Sequence, residues 1–293
     1  MHKAGFVSII GKPNVGKSTL LNSLLGENLS IVTHKAQTTR HRIKGIYNDD
    51  NHQVVFSDTP GMIEPNYLMQ EKMMGFVSAS LEDADLVLFV TEAGENQVHS
   101  ESLEILRSIK VPLIIVINKA DISSQEVIQK QADWLKENLK PMAIVPASAL
   151  KKFNTAPLLE LIKETLPESP PYFDKDELSD LNERFFVSEM IREQIFIHYK
   201  QEIPYSSEVA VDSFQEKNGI LHISATIFVE RDSQKAIIIG RMGESIKRVG
   251  TEARKQIQKF LGKKVHLVLL VKVEKDWRKD ENLLKRFGYI VNQ

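Results

Sequence analysis

The chain of 293 residues contains no cysteine. That excludes a disulfide framework, a thiolate metal centre and a cysteine nucleophile, and it fits a reducing, cytoplasmic compartment. Tryptophan is nearly absent as well, with Trp134 and Trp277 alone, and both read as packing residues rather than base-stacking platforms. Apolar runs such as 111–117 and 267–271 fall far short of the ~18 residues a membrane span needs. The opening MHKAGFVSIIGK passes from a short apolar stretch into a glycine loop with no small-residue cleavage site, which makes a poor signal peptide. The eight histidines lack metal-ligand spacing.

What is present is ordinary for a folded protein: 42% hydrophobic and 26% charged residues, near the globular average. At roughly 150 residues per domain the length suggests two domains. The net charge of −1 hides an uneven distribution, because residues 231–286 carry 16 Lys and Arg against 7 Asp and Glu, while the rest carries 22 against 32. A basic segment of that size reads as a polyanion surface or as a set of solvated helix faces.

The first 170 residues alternate short apolar strands (5–10, 54–56, 86–90, 113–117, 144–146) with helical spacing (17–25, 68–79, 101–109, 126–138, 156–166), and 41–47 can add an edge strand. Such alternation implies an α/β domain with a mostly parallel sheet covered on both faces. The stretch 167–176 (PESPPYFDKD) has three prolines and three acidic residues and breaks the rhythm as a linker would. The division is 1–170, a linker over 171–180, and a second domain over 181–293. There the predicted order is a helix (181–199), two alternating strands (208–215, 219–230) joined at Lys217-Asn218-Gly219, two helices (234–239, 245–261) and a strand (264–273). That is an α+β pattern.

Gly11-Lys12-Pro13-Asn14-Val15-Gly16-Lys17-Ser18 matches G-x-x-x-x-G-K-[ST] between a strand and a helix, with Thr19 following. Backbone N–H groups and the helix N-terminus would face phosphate, Lys17 would reach the terminal phosphates, and the Ser18 hydroxyl would hold Mg²⁺. Asp58-Thr59-Pro60-Gly61 ends a buried strand, where a P-loop hydrolase places its second Mg²⁺ ligand, and Gly61 leaves room for its N–H to meet the γ-phosphate. Asn118-Lys119-Ala120-Asp121 selects the base: Asp121 can accept from N1–H and the exocyclic amine of guanine, donors that adenine lacks there. We expect this carboxylate to be buried, so that leaving it unpaired excludes ATP. Ser148-Ala149-Leu150 follows the next strand and could give a backbone N–H to guanine O6.

In that order these motifs resemble a translation-factor-related small GTPase domain over the N-terminal half. The resemblance implies a switch threonine between the first two motifs. Within Lys35-Ala36-Gln37-Thr38-Thr39 it favours Thr39 as a Mg²⁺ ligand that senses the γ-phosphate, with Thr38 left open. Ras-like enzymes carry a water-orienting glutamine after the second motif's glycine, but here Met62 stands. A thioether cannot orient water, so hydrolysis should be slow unless another contact helps. The resemblance offers Asn14, whose counterpart helps hold a K⁺ between the phosphates; as a bare residue Asn14 reads equally well as part of a turn.

In the second domain, Gly240-Arg241-Met242-Gly243 lies between two helices, with isoleucines on each side to anchor it. Two glycines let backbone press against sugar-phosphate, and Lys247, Arg248, Arg254 and Lys255 follow on the next helix. Loop and element order resemble a type II KH domain, which clamps about four single-stranded nucleotides; the plainer reading is a helix C-cap before a solvated basic helix.

One GTPase domain followed by one type II KH domain, with GKPNVGKSTL, KAQTTRHRI, FSDTPG, EMIREQI, IIIGRMGESIKRVGTEARK and FGYI in sequence, resembles the Era family of bacterial GTPases across essentially the whole chain. The similar Der family would need two P-loops, and this chain has one. The resemblance implies GTP/GDP and Mg²⁺ as ligands, slow and K⁺-stimulated hydrolysis, and binding of single-stranded small-subunit ribosomal RNA near its 3′ end. It also implies a role in maturation of the small ribosomal subunit, a monomer, and peripheral association with the inner face of the cell membrane. Two other classes fit part of the pattern: a signalling GTPase whose second domain binds protein, and a P-loop phosphotransferase, against which NKAD and the lack of an acceptor site argue.

Overall fold

The computed structural model describes residues 2–95 and 100–290, and of Ser100 and Glu101 the backbone alone; the outermost domain limits, Met1 and 291–293, lie outside these. The chain divides into two compact units, one of residues 1–65 and 73–180, the other of 66–72 and 181–293. Among the described residues no helix is long and apolar enough to cross a membrane.

The first unit runs β1 (Lys3–Ile10), α1 (Lys17–Leu25), β2 (Ile43–Asn48), β3 (His52–Asp58), α2 (Leu68–Glu82), β4 (Leu86–Glu92), α3 (Ser100–Ser108), β5 (Leu113–Asn118), α4 (Gln125–Leu139), β6 (Ala143–Pro146) and α5 (Thr155–Thr165). Its six strands lie in the order β2-β3-β1-β4-β5-β6. All pairs are parallel except β2 with β3, the antiparallel edge. Every residue of β5 is buried, because helices cover both faces and each face needs apolar side chains. Val54, Leu88 and Val116 point to the cluster shared with α1 and α5, while Val87, Phe89 and Ile115 point to the cluster shared with α3 and α4. Each such fully buried aliphatic contributes about 1.5–3 kcal/mol. The two bands hold the C-terminal ends of β1, β3, β4 and β5 level, which is where ligands bind in open α/β sheets.

Residues 171–180, expected as a linker, run as a strap along the β2–β3 edge. The Leu178 carbonyl accepts from the Ile46 N–H at 2.9 Å, Ser179 Oγ donates to the Lys44 carbonyl at 2.6 Å, and Lys44 pairs with Asp180 at 2.9 Å. The fully buried Gln53 is the pin: its Oε1 accepts from the Tyr172 and Phe173 N–H groups at 2.6 and 3.0 Å, and its Nε2 donates to the Phe173 carbonyl at 2.8 Å. The strap thereby covers an edge that would otherwise present unpaired backbone groups. Gln53→Ala strips two backbone donors of their partner, so it should cost about 2–4 kcal/mol and expose residues 171–180 to protease. Denaturant unfolding and limited proteolysis check this; wild-type stability and cleavage would show the strap to be held by other contacts.

The second unit runs α6 (Glu183–His198), α7 (Ile203–Ser206), β7 (Glu208–Lys217), β8 (Ile220–Val229), α8 (Asp232–Ile239), α9 (Glu244–Leu261), β9 (Lys264–Val273) and α10 (Glu281–Arg286). Its sheet has the order β7-β8-β9, with β7 antiparallel and β9 parallel to β8. Val249, Ala253 and Ile257 on α9 repeat every four residues and are fully buried against Ile223, Ala225 and Ile227 of β8 within one core. That leaves the opposite face of α9 to solvent. Trp277 is fully buried, with its ring N–H donated to the Ser206 carbonyl at 3.0 Å.

Candidate functional site

In the first unit, the P-loop, residues 31–39, Gly61, the loop after β5 and the loop after β6 line one cleft of about 370 Å³. Lys17, the first residue of α1, is buried, and its ammonium donates to the Gly11 and Lys12 carbonyls at 2.9 Å each. Burial lowers its pKa to about 8, an effect that the negative Asp58 partly opposes. Asp58 is fully buried and shifted upward by that burial, against the pull of Ser18 and Lys17. Ser18 Oγ donates to Asp58 Oδ2 at 2.6 Å and lies 2.9 Å from Thr39 Oγ1. Three hard oxygen donors from three separate elements therefore converge, while Asp58 Oδ1 is buried with no hydrogen-bond partner. This donor set and the orphaned oxygen suit Mg²⁺, a small hard cation that takes few protein ligands and keeps water. Thr38 turns elsewhere: its hydroxyl donates to the Lys35 carbonyl at 2.7 Å and lies 2.6 Å from Thr33 Oγ1. Of the two candidate switch threonines, Thr39 is the one brought to Ser18 and Asp58.

Gly61 passes so close to the P-loop that a Cβ there would lie 2.6 Å from Pro13 N. The same stretch is tied down by Met62 N–H donating to the Gly11 carbonyl at 3.0 Å, and the Met62 side chain packs on the core cluster that contains Ile10 and Phe89. Pro60 and Thr59 are buried, and Thr59 Oγ1 donates to the Ile9 carbonyl at 2.8 Å; both support the loop rather than line the cleft. Asn14 takes a left-handed conformation (φ 65°) and is exposed on the cleft wall, as both the turn and the ion reading require. Thr19 also lines the cleft, whereas Val15 is buried in the core.

At the base end Asn118 lines the cleft as expected, and the departure from expectation is the exposure of Asp121. Asn118 is buried, and its amide bridges protein groups: Nδ2 donates to the Val15 carbonyl at 2.8 Å and Oδ1 accepts the Ala149 N–H at 3.0 Å. It fastens the P-loop to the Ser148-Ala149-Leu150 loop. Asp121 lines the cleft but is exposed rather than buried, because the chain leaves β5 into a short 3₁₀ turn over Ala120–Ile122 on the surface. Any desolvation of Asp121 would therefore have to come from a bound base. Apolar Ile122 and Leu150, 72% and 76% exposed, flank the same end. Ile122 and the wall formed by Ile31, Val32, Thr33, His34 and Lys35 were not foreseen from sequence; two exposed apolar residues beside two nucleotide motifs were the available signal.

In the second unit, Gly240 ends α8 at φ 72°, ψ 177°, and a Cβ there would fall 2.7 Å from Ser245 Cβ and 3.1 Å from Ser245 N. Glycine is needed at that position on both counts. Arg241 is exposed and Met242 is 94% exposed in a left-handed conformation (φ 52°), so the loop projects while Ile238 and Ile246 pack into the core beneath it. On α9, Lys247 and Arg254 are seven residues apart, as are Arg248 and Lys255, so the four form two adjacent stripes on the exposed face. Lys255 pairs with Glu252 at 2.8 Å. Arg248 lies near Tyr199, whose hydroxyl is pushed up to about 12 by burial against that positive charge and donates to the Ile238 carbonyl at 2.6 Å.

Fold and site together define a P-loop GTPase domain joined to a KH module. Residues 6–119 match the family described as 50S ribosome-binding GTPase and residues 202–278 match the KH domain. The chain is 44% identical to GTPase Era of Geotalea daltonii over 98% of this chain and 97% of that protein, and 43% identical to GTPase Era of Clostridium beijerinckii over 100% and 99%. A variant of Aquifex aeolicus Era bound to GDP·AlF4⁻ superposes with a TM-score of 0.94 at 38% identity, covering 99% of this chain and 100% of that one. Era in complex with MgGDPNP and nucleotides 1506–1542 of 16S ribosomal RNA gives 0.95 at the same identity and coverage. The chain belongs to the Era family of GTPases.

Proposed function

We propose that the chain is a GTP-binding and GTP-hydrolysing switch that binds single-stranded small-subunit ribosomal RNA near its 3′ end and assists maturation of the small ribosomal subunit. The observation that carries this reading is the convergence of Lys17, Ser18, Thr39 and Asp121 on one cleft, with Asp58 bonded to Ser18 behind it, in a chain that also presents an exposed G-x-x-G loop before a basic helix face. The GTPase part occupies residues 1–170 and the KH part 181–293. A cytoplasmic location goes with this reading and is supported by a chain without cysteine.

In the mechanism, the P-loop N–H groups and Lys17 neutralise the β- and γ-phosphates. Lys17 is poised for this: burial lowers its pKa, and an incoming phosphate would offset that effect by favouring the charged ammonium. Ser18, Thr39 and Asp58 would hold Mg²⁺, which when bound stabilises charge developing on the phosphoryl oxygens. Thr39 belongs to the segment between α1 and β2 and reaches the cleft only while that segment is ordered, so loss of the γ-phosphate loosens the loop and the switch turns off. Asp121 selects guanine. The Met62 thioether cannot orient water, and turnover rests on positioning and charge neutralisation.

Slow turnover in Na⁺ buffer should therefore rise when K⁺ replaces Na⁺, and the gain should vanish in Asn14→Ala, since the Asn14 amide is a neutral oxygen donor that the P-loop presents at the cleft wall, apart from the Ser18 hydroxyl that would hold Mg²⁺. Phosphate release followed in matched Na⁺ and K⁺ buffers reads this, and a rate indifferent to K⁺ removes Asn14 from the mechanism. Met62→Ala should change turnover far less than Lys17→Ala. The wider proposal is tested by sequencing RNA crosslinked to the protein in GTP and in GDP; crosslinks that avoid the Gly240–Gly243 loop would favour a protein-binding second domain.

A further inference from the structure

We infer that Glu92 and Glu95, on the turn that leaves β4, are positioning residues for guanine-nucleotide binding: Glu92 fixes Lys119 of the base-selecting loop and Glu95 fixes Lys12 of the P-loop. This rests on the nucleotide reading above and extends it to a turn that belongs to none of the motifs. Glu92 ends β4 in register with Asn118 of β5, and the Ala93 N–H donates to the Asn118 carbonyl at 2.8 Å. The turn thus starts beside the base loop. Lys119 leaves β5 in a left-handed conformation (φ 60°, ψ 33°), and its ammonium donates to Glu92 Oε2 at 2.6 Å. With the charge held there, what Lys119 offers the cleft it lines is its four-carbon stem, an apolar wall for a flat base.

Three residues on, Glu95 Oε1 pairs with the Lys12 ammonium and Oε2 accepts from Thr91 Oγ1 at 2.7 Å. The Lys12 carbonyl is one of the two that receive the Lys17 ammonium, so fixing Lys12 fixes part of the phosphate-binding loop. The turn does not float: Gln131 of α4 donates to the Glu92 carbonyl at 3.0 Å and accepts the Gly94 N–H at 2.9 Å. One short turn, clamped by a helix, therefore carries a carboxylate to each of two nucleotide motifs that are about a hundred residues apart in sequence. The four side chains are 20–39% exposed, and pairs that open to water add only about 0–1 kcal/mol to stability. Their consequence lies in where they hold the lysines.

The test uses the full chain and a fluorescent GDP, with single variants Glu92→Gln, Glu95→Gln, Lys119→Met and Lys12→Met and the two paired doubles. Each glutamine variant should release GDP roughly three- to tenfold faster, and the change should fall on KM for GTP more than on kcat. Glu92→Gln should add nothing once Lys119 is Met, and Glu95→Gln nothing once Lys12 is Met. A merely structural carboxylate would act equally in both backgrounds and lower the melting temperature without nucleotide. Unchanged GDP release, or an effect that persists without the partner lysine, overturns the inference while wild type still prefers GTP to ATP. Wild type that binds both alike overturns the nucleotide reading itself, and the inference with it.

Discussion

Asp121→Asn should turn a guanine site into a xanthine site. On the proposed reading the carboxylate would accept two hydrogen bonds from guanine, at N1–H and the exocyclic amine; an amide in its place would set a donor against a donor. Xanthine carries a carbonyl where guanine has the amine, so the same amide can donate to the carbonyl and accept from the ring N–H. A site built around a specific hydrogen-bond pair rejects the wrong partner by roughly 10³-fold or more, because the unpaired groups are stripped of water without compensation. That argument needs the contact to be dry, and Asp121 is exposed in the protein itself. The dryness would have to come from a bound base, and Ile122 and Leu150 line the cleft with Asp121. It follows that Ile122→Ser, which removes apolar cover without touching the carboxylate, should lower the GTP-over-ATP ratio while leaving Asp121 in place. Competition of GTP, ATP and XTP for the wild type and both variants measures this; equal binding of ATP and GTP by wild type would end the assignment.

The strands of both units could be read from apolar runs bounded by turn residues because each is buried on one or both faces by local periodicity alone. The cleft's motifs were legible for a similar reason: backbone wrapping of phosphate demands glycines at fixed spacing within eight residues. What escaped the sequence acts across it. Asn118 reads as a base contact from its place in NKAD and does line the cleft, but nothing in that motif announces that it also joins Val15 to Ala149, with Val15 over 100 residues away. Residues 171–180 have the composition of a linker, and no pattern within them announces that Gln53 will hold them. Thr38 and Thr39 are chemically identical neighbours, and the choice between them is made by the fold of the loop that turns one to Thr33 and the other to Ser18. Asp121 was expected to be buried because the proposed task needs a dry contact, and the structure leaves it exposed for a ligand to cover.

Replacing Arg241 and Met242 with two aspartates should weaken RNA binding by roughly 10- to 100-fold at moderate salt and leave GTP affinity unchanged. The two side chains stand at the tip of the loop, where Met242 is 94% exposed and makes no core contact that the change could break, so the fold should tolerate it. Gly240 and Gly243 bring backbone close enough to meet sugar-phosphate, and the N-terminus of α9 begins there. That helix end favours an anion, and carboxylates at the loop tip would compete for its place and repel the phosphate. Phosphate contacts by the exposed Lys247, Arg248 and Arg254 should supply affinity that falls as salt rises. Neutralising one of them should reduce the slope of log affinity against log salt by about one. Lys255 should contribute less, because Glu252 already holds it. Base edges read beside the clamp add a preference that phosphates cannot, so scrambled oligonucleotides should bind more weakly than the native 3′ sequence with a similar salt slope. Titration of a labelled single-stranded RNA against both proteins at several salt concentrations separates these contributions. A double-aspartate variant that binds as tightly as wild type would mean that the loop does not touch RNA, and the second domain would then be a protein-docking module on a GTP switch.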